Sequence, residues 1–175
     1  MSKVNPIPEG YEGIIPHLVV KGAGEAVEFY KKAFGAEEVM RMPSPDGRLM
    51  HGEIRIGSSY LFLCDDFPEM CGGQSRHPKA LGGTPQTIHR YVTDCDAAIK
   101  RAADAGATVK LPATDMFWGD RYGVVEDPYG HQWSFATHKQ DLTPDQIARA
   151  QEAAFSQGPP PGKGSSPSSS SPKKQ

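Results

Sequence analysis

The chain is poor in the features that announce a function. It holds three cysteines, Cys64, Cys71 and Cys95. They are odd in number and follow no metal-ligand spacing, which points to free thiols in a reducing compartment. Neither sign of charge dominates: 19 Lys and Arg stand against 21 Asp and Glu, a formal net charge of −2. No basic field is offered to a nucleic-acid backbone. No run approaches the roughly 18 apolar residues of a membrane span. The opening Met-Ser-Lys-Val-Asn-Pro-Ile-Pro lacks the apolar core of a signal peptide. These absences set the expectation of a cytoplasmic protein with neither nucleic acid nor membrane as partner.

At 175 residues the chain has the length of one domain, or of two small units sharing a core. Its most informative stretch is Phe117 to His138, two strands joined by a tight turn. Asp127-Pro128-Tyr129-Gly130 makes the turn, because Pro presets φ and Gly permits positive φ. Beyond it, Gln132, Ser134 and Ala136 alternate with Trp133 and Phe135. A period of two gives a strand one apolar face for a core and one polar face for a cavity wall.

The rest of the chain reads as cover for that strand pair. Residues 1–12 carry two prolines and no periodicity, and form an N-terminal arm. Ile14 to Val20 is an apolar, β-branched strand, with Pro16 marking an edge or a strand start. Gly22 to Gly35 is helical: Ala26, Val27, Tyr30, Ala33 and Phe34 share one stripe, and Gly35 sits at the C-cap. Glu37 to Met42 is a strand, and Ser44-Pro45-Asp46-Gly47 a turn. Arg48 to Ile56 alternates, with Met50, Ile54 and Ile56 against His51, Glu53 and Arg55. Ser59 to Cys64 is another strand, and Asp65 to Gly83, rich in Pro and Gly, a connecting loop.

The order then repeats. Thr87 to Thr93 is a strand. Asp94 caps a helix striped by Cys95, Ala98, Ile99, Ala102 and Ala105 and closed by Gly106. Thr108 to Leu111 is a short strand, followed by the pair already described. His17-Leu-Val-Val with Gly35-Ala36 matches His89-Arg-Tyr-Val with Gly106-Ala107. Arg48 to Gly57 matches Arg121 to Gly130 without a gap. The expected fold is α+β, two βαβββ modules at about 14–64 and 86–137 within a domain spanning 13–138. Leu142 to Ala154 reads as a helix begun by Thr143-Pro144, inside a C-terminal segment 139–157. Residues 158–175 hold Gly, Pro, Ser and Lys with one final Gln, cannot bury an apolar face, and are expected to be disordered.

Two βαβββ modules, Phe29-Tyr30-Lys31-Lys32-Ala33-Phe34-Gly35-Ala36, and Glu126-Asp127-Pro128-Tyr129-Gly130-His131 together resemble the vicinal oxygen chelate superfamily. That group includes glyoxalase I, bleomycin- and fosfomycin-resistance proteins and extradiol dioxygenases. Pro16 to Val20 and Phe117 to Gly123 are most similar to its PhnB-like branch. The resemblance covers residues 12–140. It implies paired modules whose curved sheets surround a cleft, helices outside, and a homodimer. It also implies a divalent metal held from the first and last strands of each module. Counted from landmarks in this chain, those positions are Ile15, Leu61, Thr87 and Ser134. None is the His, Glu or Gln that such enzymes use, so no metal and no other cofactor is expected.

Alternation keeps residues i and i+2 on one strand face. His17 then shares the cleft face with Ile15, and His89 shares it with Thr87 and Tyr91. His51, Glu53, Gln132 and Ser134 face the same interior, and Trp118 lids it or packs at a dimer seam. This set could hydrogen-bond a polar ligand. It could perform acid–base work, since His titrates near neutral pH. It could also hold a displaced metal through His17, His89 and Glu53. Ordinary structural roles compete: Arg48 and Arg121 anchor turns, Trp133 and Phe135 are core, and His77, His131 and His138 lie on the surface. Asp65-Asp66 reads as a solvated strand end. Two functions follow: a binder of a small organic molecule, or a lyase or isomerase acting beside a carbonyl.

Overall fold

The structure, a computed structural model, describes residues 4–156. The tail expected to be disordered lies outside the described residues. The elements run β1 His17–Val20, α1 Ala23–Phe34, β2 Glu37–Pro43, β3 Leu49–Ile56 and β4 Ser59–Asp65, then α2 Pro78–Leu81, β5 Thr87–Tyr91, α3 Cys95–Asp104, β6 Thr108–Asp115, β7 Asp120–Glu126, β8 Gln132–His138 and α4 Pro144–Ser156. They form two four-stranded sheets, ordered β1-β4-β3-β2 and β5-β8-β7-β6. The second order is the first advanced by four strands. In each sheet the first strand pairs in parallel with the last, and the other pairs are antiparallel. The α+β fold and its duplication are therefore as the sequence implied.

Local chemistry explains the element ends. Pro16 has no N–H to give, so β1 begins at His17 rather than Ile14; the Pro16 carbonyl accepts from the Phe62 N–H at 2.9 Å. Ile14 is 99% exposed. Strand β6 continues past Leu111 through Pro112 because it is an edge strand with irregular register. Helix α1 starts after Gly22, which has no side chain to cap it. The Asp65 carboxylate does so instead, accepting from the Gly22 and Ala23 N–H groups at 2.7 and 3.1 Å and from Leu49 N–H at 2.8 Å. Asp65 is thus a buried cap, not a solvated strand end. The loop before module two also contains α2 and a 3₁₀ turn, Pro68–Met70.

Strand pairing corrects the gap-free alignment of the modules. His17 lies beside Phe62 and Phe62 beside Glu53; His89 lies beside Ser134 and Ser134 beside Val124. Glu53 therefore corresponds to Val124, two residues short of the alignment's Glu126. The turn through Asp127–Gly130 is one residue longer than its counterpart in module one, and because the shift of β7 against the alignment is two, the period of a strand, its side chains keep their faces.

The modules are joined on their helix side. Trp133 and Phe135 are buried, their rings tilted against Phe34 and Tyr30 of α1. Arg101 of α3 and Arg90 of β5 donate to the Ala33 and Phe34 carbonyls that end α1. His131 is buried and bonded to the Val19 carbonyl at 3.1 Å, so it is a tie between modules and not a surface residue. At the centre is the buried Asp127 carboxylate. It accepts from Tyr30 Oη at 2.8 Å, Trp133 Nε1 at 3.0 Å, and the Tyr129 and His131 N–H groups at 2.9 Å. Each buried donor left unpaired costs about 1–3 kcal/mol. Asp127→Ala should therefore lose roughly 3 kcal/mol or more in urea unfolding; a loss below about 1 kcal/mol would show the hub to be dispensable.

Candidate functional site

With Leu18, Val20, Ile54, Leu61 and Leu63 buried under α1, the alternate residues of sheet one face away from the helix. These are His17, His51, Glu53, Tyr60 and Phe62, with Met40 and Met42 opposite Glu53 and His51 on β2. Glu53 is 7% exposed. It accepts from Tyr11 Oη at 2.6 Å and meets His51 Nε2 at 2.9 Å. Burial pushes its carboxyl up, but the hydrogen bonds from Tyr11 and His51 outweigh that and hold it below the ordinary value. The same bond to Glu53 pushes the Tyr11 phenol up to about 12. His17 stands edge-on to His51, ring centroids 6.0 Å apart. Partial desolvation, then the neighbouring His51 and Arg76, push it below its ordinary value.

Sheet two presents the equivalent face. His89 Nδ1 lies 2.8 Å from Ser134 Oγ, and its ring meets Tyr91 edge-on and Tyr122 face-on. Trp118 packs edge-on to Tyr122 at 5.8 Å. Tyr91 Oη donates to the buried Asp120 at 2.9 Å, and His138 Nδ1 lies 2.8 Å from the same carboxylate. Burial pushes Asp120 up; hydrogen bonds from His138 and Tyr91 outweigh it and hold the group below its ordinary range. Thr87 and Gln132 are register partners two residues earlier on β5 and β8.

The expected residues thus fall into two clusters, one per sheet. His17, His51 and Glu53 gather in module one; His89, Ser134, Tyr91 and Trp118 gather in module two, with Thr87 and Gln132 at their edge. His89 does not join His17 and Glu53. Between the modules lies a cavity of about 190 Å³ whose walls include Tyr60, Ile88, His89 and Trp133. A larger recess of about 540 Å³ between α1 and α3 belongs to the module joint, because Arg90 and Arg101 cross it to the end of α1. Tyr11, Tyr60, Phe62, Tyr122 and Asp120 were not expected. Strand parity points to Tyr60, Phe62 and Tyr122; the aperiodic arm carries no signal for Tyr11. Arg48 bonds Asp46, Glu69 and the Asp66 carbonyl, and Arg121 bonds Asp96 and Asp115, so both tie turns to their neighbours.

The implied metal positions need one correction. Leu61 faces the core, 4% exposed; the residue of module one that corresponds to Ser134 is Phe62. The set becomes Ile15, Phe62, Thr87 and Ser134, two hydrocarbons and two hydroxyls. Among the described residues no three His, Cys, Asp or Glu side chains form a group able to hold a metal ion. This donor set does not fit a divalent cation.

Residues 14–135 match the Glyoxalase/Bleomycin resistance protein/Dioxygenase superfamily model, and the chain belongs to that superfamily. The uncharacterized protein Rv0887c of Mycobacterium tuberculosis is 52% identical over 143 residues, 82% of each chain. The crystal structure of the Arabidopsis thaliana At5g48480 product shares 30% identity and superposes with a TM-score of 0.58 over 72% of this chain and 98% of its own. The PhnB protein of Bacillus cereus has the same fold at 16% identity, TM-score 0.54, covering 72% of this chain and 99% of its own. No helix among the described residues is long and apolar enough to cross a membrane.

His138 yields a prediction. Its Nε2 lies 3.0 Å from Asp141, so the ring sits between two carboxylates, which raise its pKa above the ordinary 6.5, Asp141 first and then Asp120. A raised pKa stabilises the fold fully below the unfolded value, and the contribution fades as pH rises through the folded one. The Tm difference between wild type and His138→Asn should therefore be largest near pH 5 and vanish toward pH 9, flanking the ordinary range. A difference independent of pH would contradict the ion pairs.

Proposed function

We propose that this superfamily member binds a small organic molecule on the cleft faces of its two sheets, without the superfamily's metal. The observation that carries the reading is preorganisation. Glu53 and Ser134 are buried on faces otherwise lined by aromatic rings, and each is already oriented by a histidine partner. Ligand sites combine an apolar lining with a few such polar groups. The Pro16–Val20 and Phe117–Gly123 motifs support placement in the PhnB-like branch. The protein works in this reading as a cytoplasmic homodimer. Tyr91, Met40 and Met42 stay 60%, 44% and 46% exposed, apolar surface that a second copy would cover.

A second reading has a specific observation in its favour. The His51–Glu53 pair at 2.9 Å is a carboxylate-oriented imidazole, the arrangement of a general base. It would let the protein act as a lyase or isomerase beside a carbonyl.

The test is a small-molecule library screened by NMR against full-length protein prepared without added metal. Hits should shift signals of His89, Tyr122 and Phe62. A hit at about 100-fold its Kd should stabilise by roughly 2.7 kcal/mol. Ser134→Ala should weaken hits on module two about tenfold, the scale of one lost hydrogen bond. A library that leaves both faces unperturbed, or binding that appears only with Mn²⁺ or Zn²⁺, would overturn the reading.

A further inference from the structure

The N-terminal arm makes one anchored contact with the body. Residues 4–10 and 12–14 are exposed, while Tyr11 between them is partly buried. Gly10 turns the chain inward with φ +86, a conformation that suits glycine, and a Cβ there would meet the Tyr60 ring at 3.1 Å. The Tyr11 ring then stacks on Tyr60, centroids 4.4 Å apart and planes 21° apart, and tilts against Phe62 at 6.0 Å. Its hydroxyl donates to Glu53 at 2.6 Å, the length of a charge-assisted bond. Glu53's other oxygen meets His51, and among the described residues no Lys or Arg pairs with it.

Everything Tyr11 does on this face, a free phenol can do. The ring contributes stacking, the hydroxyl one hydrogen bond to a buried carboxylate, and the backbone of the arm adds only a tether. We propose that Tyr11 stands in the ligand's place: the module-one face takes a planar ring bearing a hydrogen-bond donor, and the N-terminal arm competes with it. This rests on the reading that the cleft faces bind small molecules, and it adds the ligand class and a gate. A short tether holds Tyr11 at an effective concentration on the order of millimolar. A ligand displaces it when its concentration divided by its Kd for the bare face exceeds that effective concentration divided by the Kd of the tethered phenol, so the arm filters out weak ring compounds.

The experiment uses para-cresol, the side-chain analogue of Tyr11, and its methyl ether para-methylanisole, which keeps the ring and loses the donor. Binding to the full chain is followed by saturation-transfer NMR, with Tm and circular dichroism recorded for each variant. Tyr11→Ala should bind para-cresol about tenfold more tightly than wild type. It should prefer para-cresol over para-methylanisole about tenfold, the scale of a hydrogen bond to a charged group. Glu53→Gln in the Tyr11→Ala background should erase most of that preference. If that double variant does not fold, cresol-induced shifts of Phe62 and His51 in Tyr11→Ala alone locate the ligand. Equal cresol affinity for wild type and Tyr11→Ala would overturn the gate. Equal affinity for cresol and its ether would overturn the donor requirement. Absence of cresol binding to every variant, while library hits still shift the cleft faces, would overturn the ligand class and leave cleft binding standing.

Discussion

The cleft depends on a carboxylate that never faces it. Asp127 sits behind sheet two, accepting from a helix of the other module, from the indole of the second residue of β8, and from the backbone of its own turn. A buried charge is tolerated only when its acceptor sites are filled, and leaving it half-filled is costly. That demand locks three things together: the turn, the Trp133 ring and α1. Once Trp133 points to α1, strand parity sends Ser134 the other way, onto the face of His89. The orientation of the cleft face is a consequence of how the hidden face is pinned.

Much of this was legible before the structure. The turn residues, the alternation of β8, the stripes of α1 and α3 and the repeated order each have a local cause, and each is realised. What escaped was carried by contacts distant in sequence. Asp65 caps α1 only because β4 returns parallel to β1; nothing around residue 65 announces that. His131 follows a turn, where exposure is the default, but its ring reaches a carbonyl 112 residues away. The placement of Leu61 failed because module one lacks the Asp-Pro turn from which the count is made, and one residue of error moves a side chain to the opposite face. The cleft histidines were found by parity. Their division into two clusters was not, because no sequence rule relates the faces of separate sheets.

Duplication makes that division informative. Strand pairing equates His17 with His89, Phe62 with Ser134 and Glu53 with Val124. The histidine on the first strand is present in both modules; its surroundings are not. In module one it stands among a carboxylate, a second histidine and aromatic rings. In module two it bonds a hydroxyl and stacks on Tyr122, with the acidic group moved to Asp120 behind Tyr91. Two faces of one descent thus present different hydrogen-bonding patterns, which suits a ligand with unlike ends better than a symmetric one.

The donor chemistry also sets how discrimination can arise. A divalent cation selects oxygen ligands strongly through one centre, and Ile15, Phe62, Thr87 and Ser134 supply no such centre. If the faces bind a small molecule as proposed, selection falls to individual hydrogen bonds. One bond to a charged group contributes about 1.5–3 kcal/mol, and a neutral one about 0.5–1.5 kcal/mol. Neither alone separates close analogues by more than about one to two powers of ten. Specificity must come from several groups engaged at once against rigid rings, which requires that the groups be held before the ligand arrives. Glu53 and Ser134 meet that requirement, because each is buried and already bonded to a histidine. Met40 and Met42, opposite Glu53 and His51, do not, being exposed and unbranched, and they give the module-one face an adaptable rim. A fixed polar floor under a compliant apolar rim favours ligands that share one donor pattern while differing in their apolar parts.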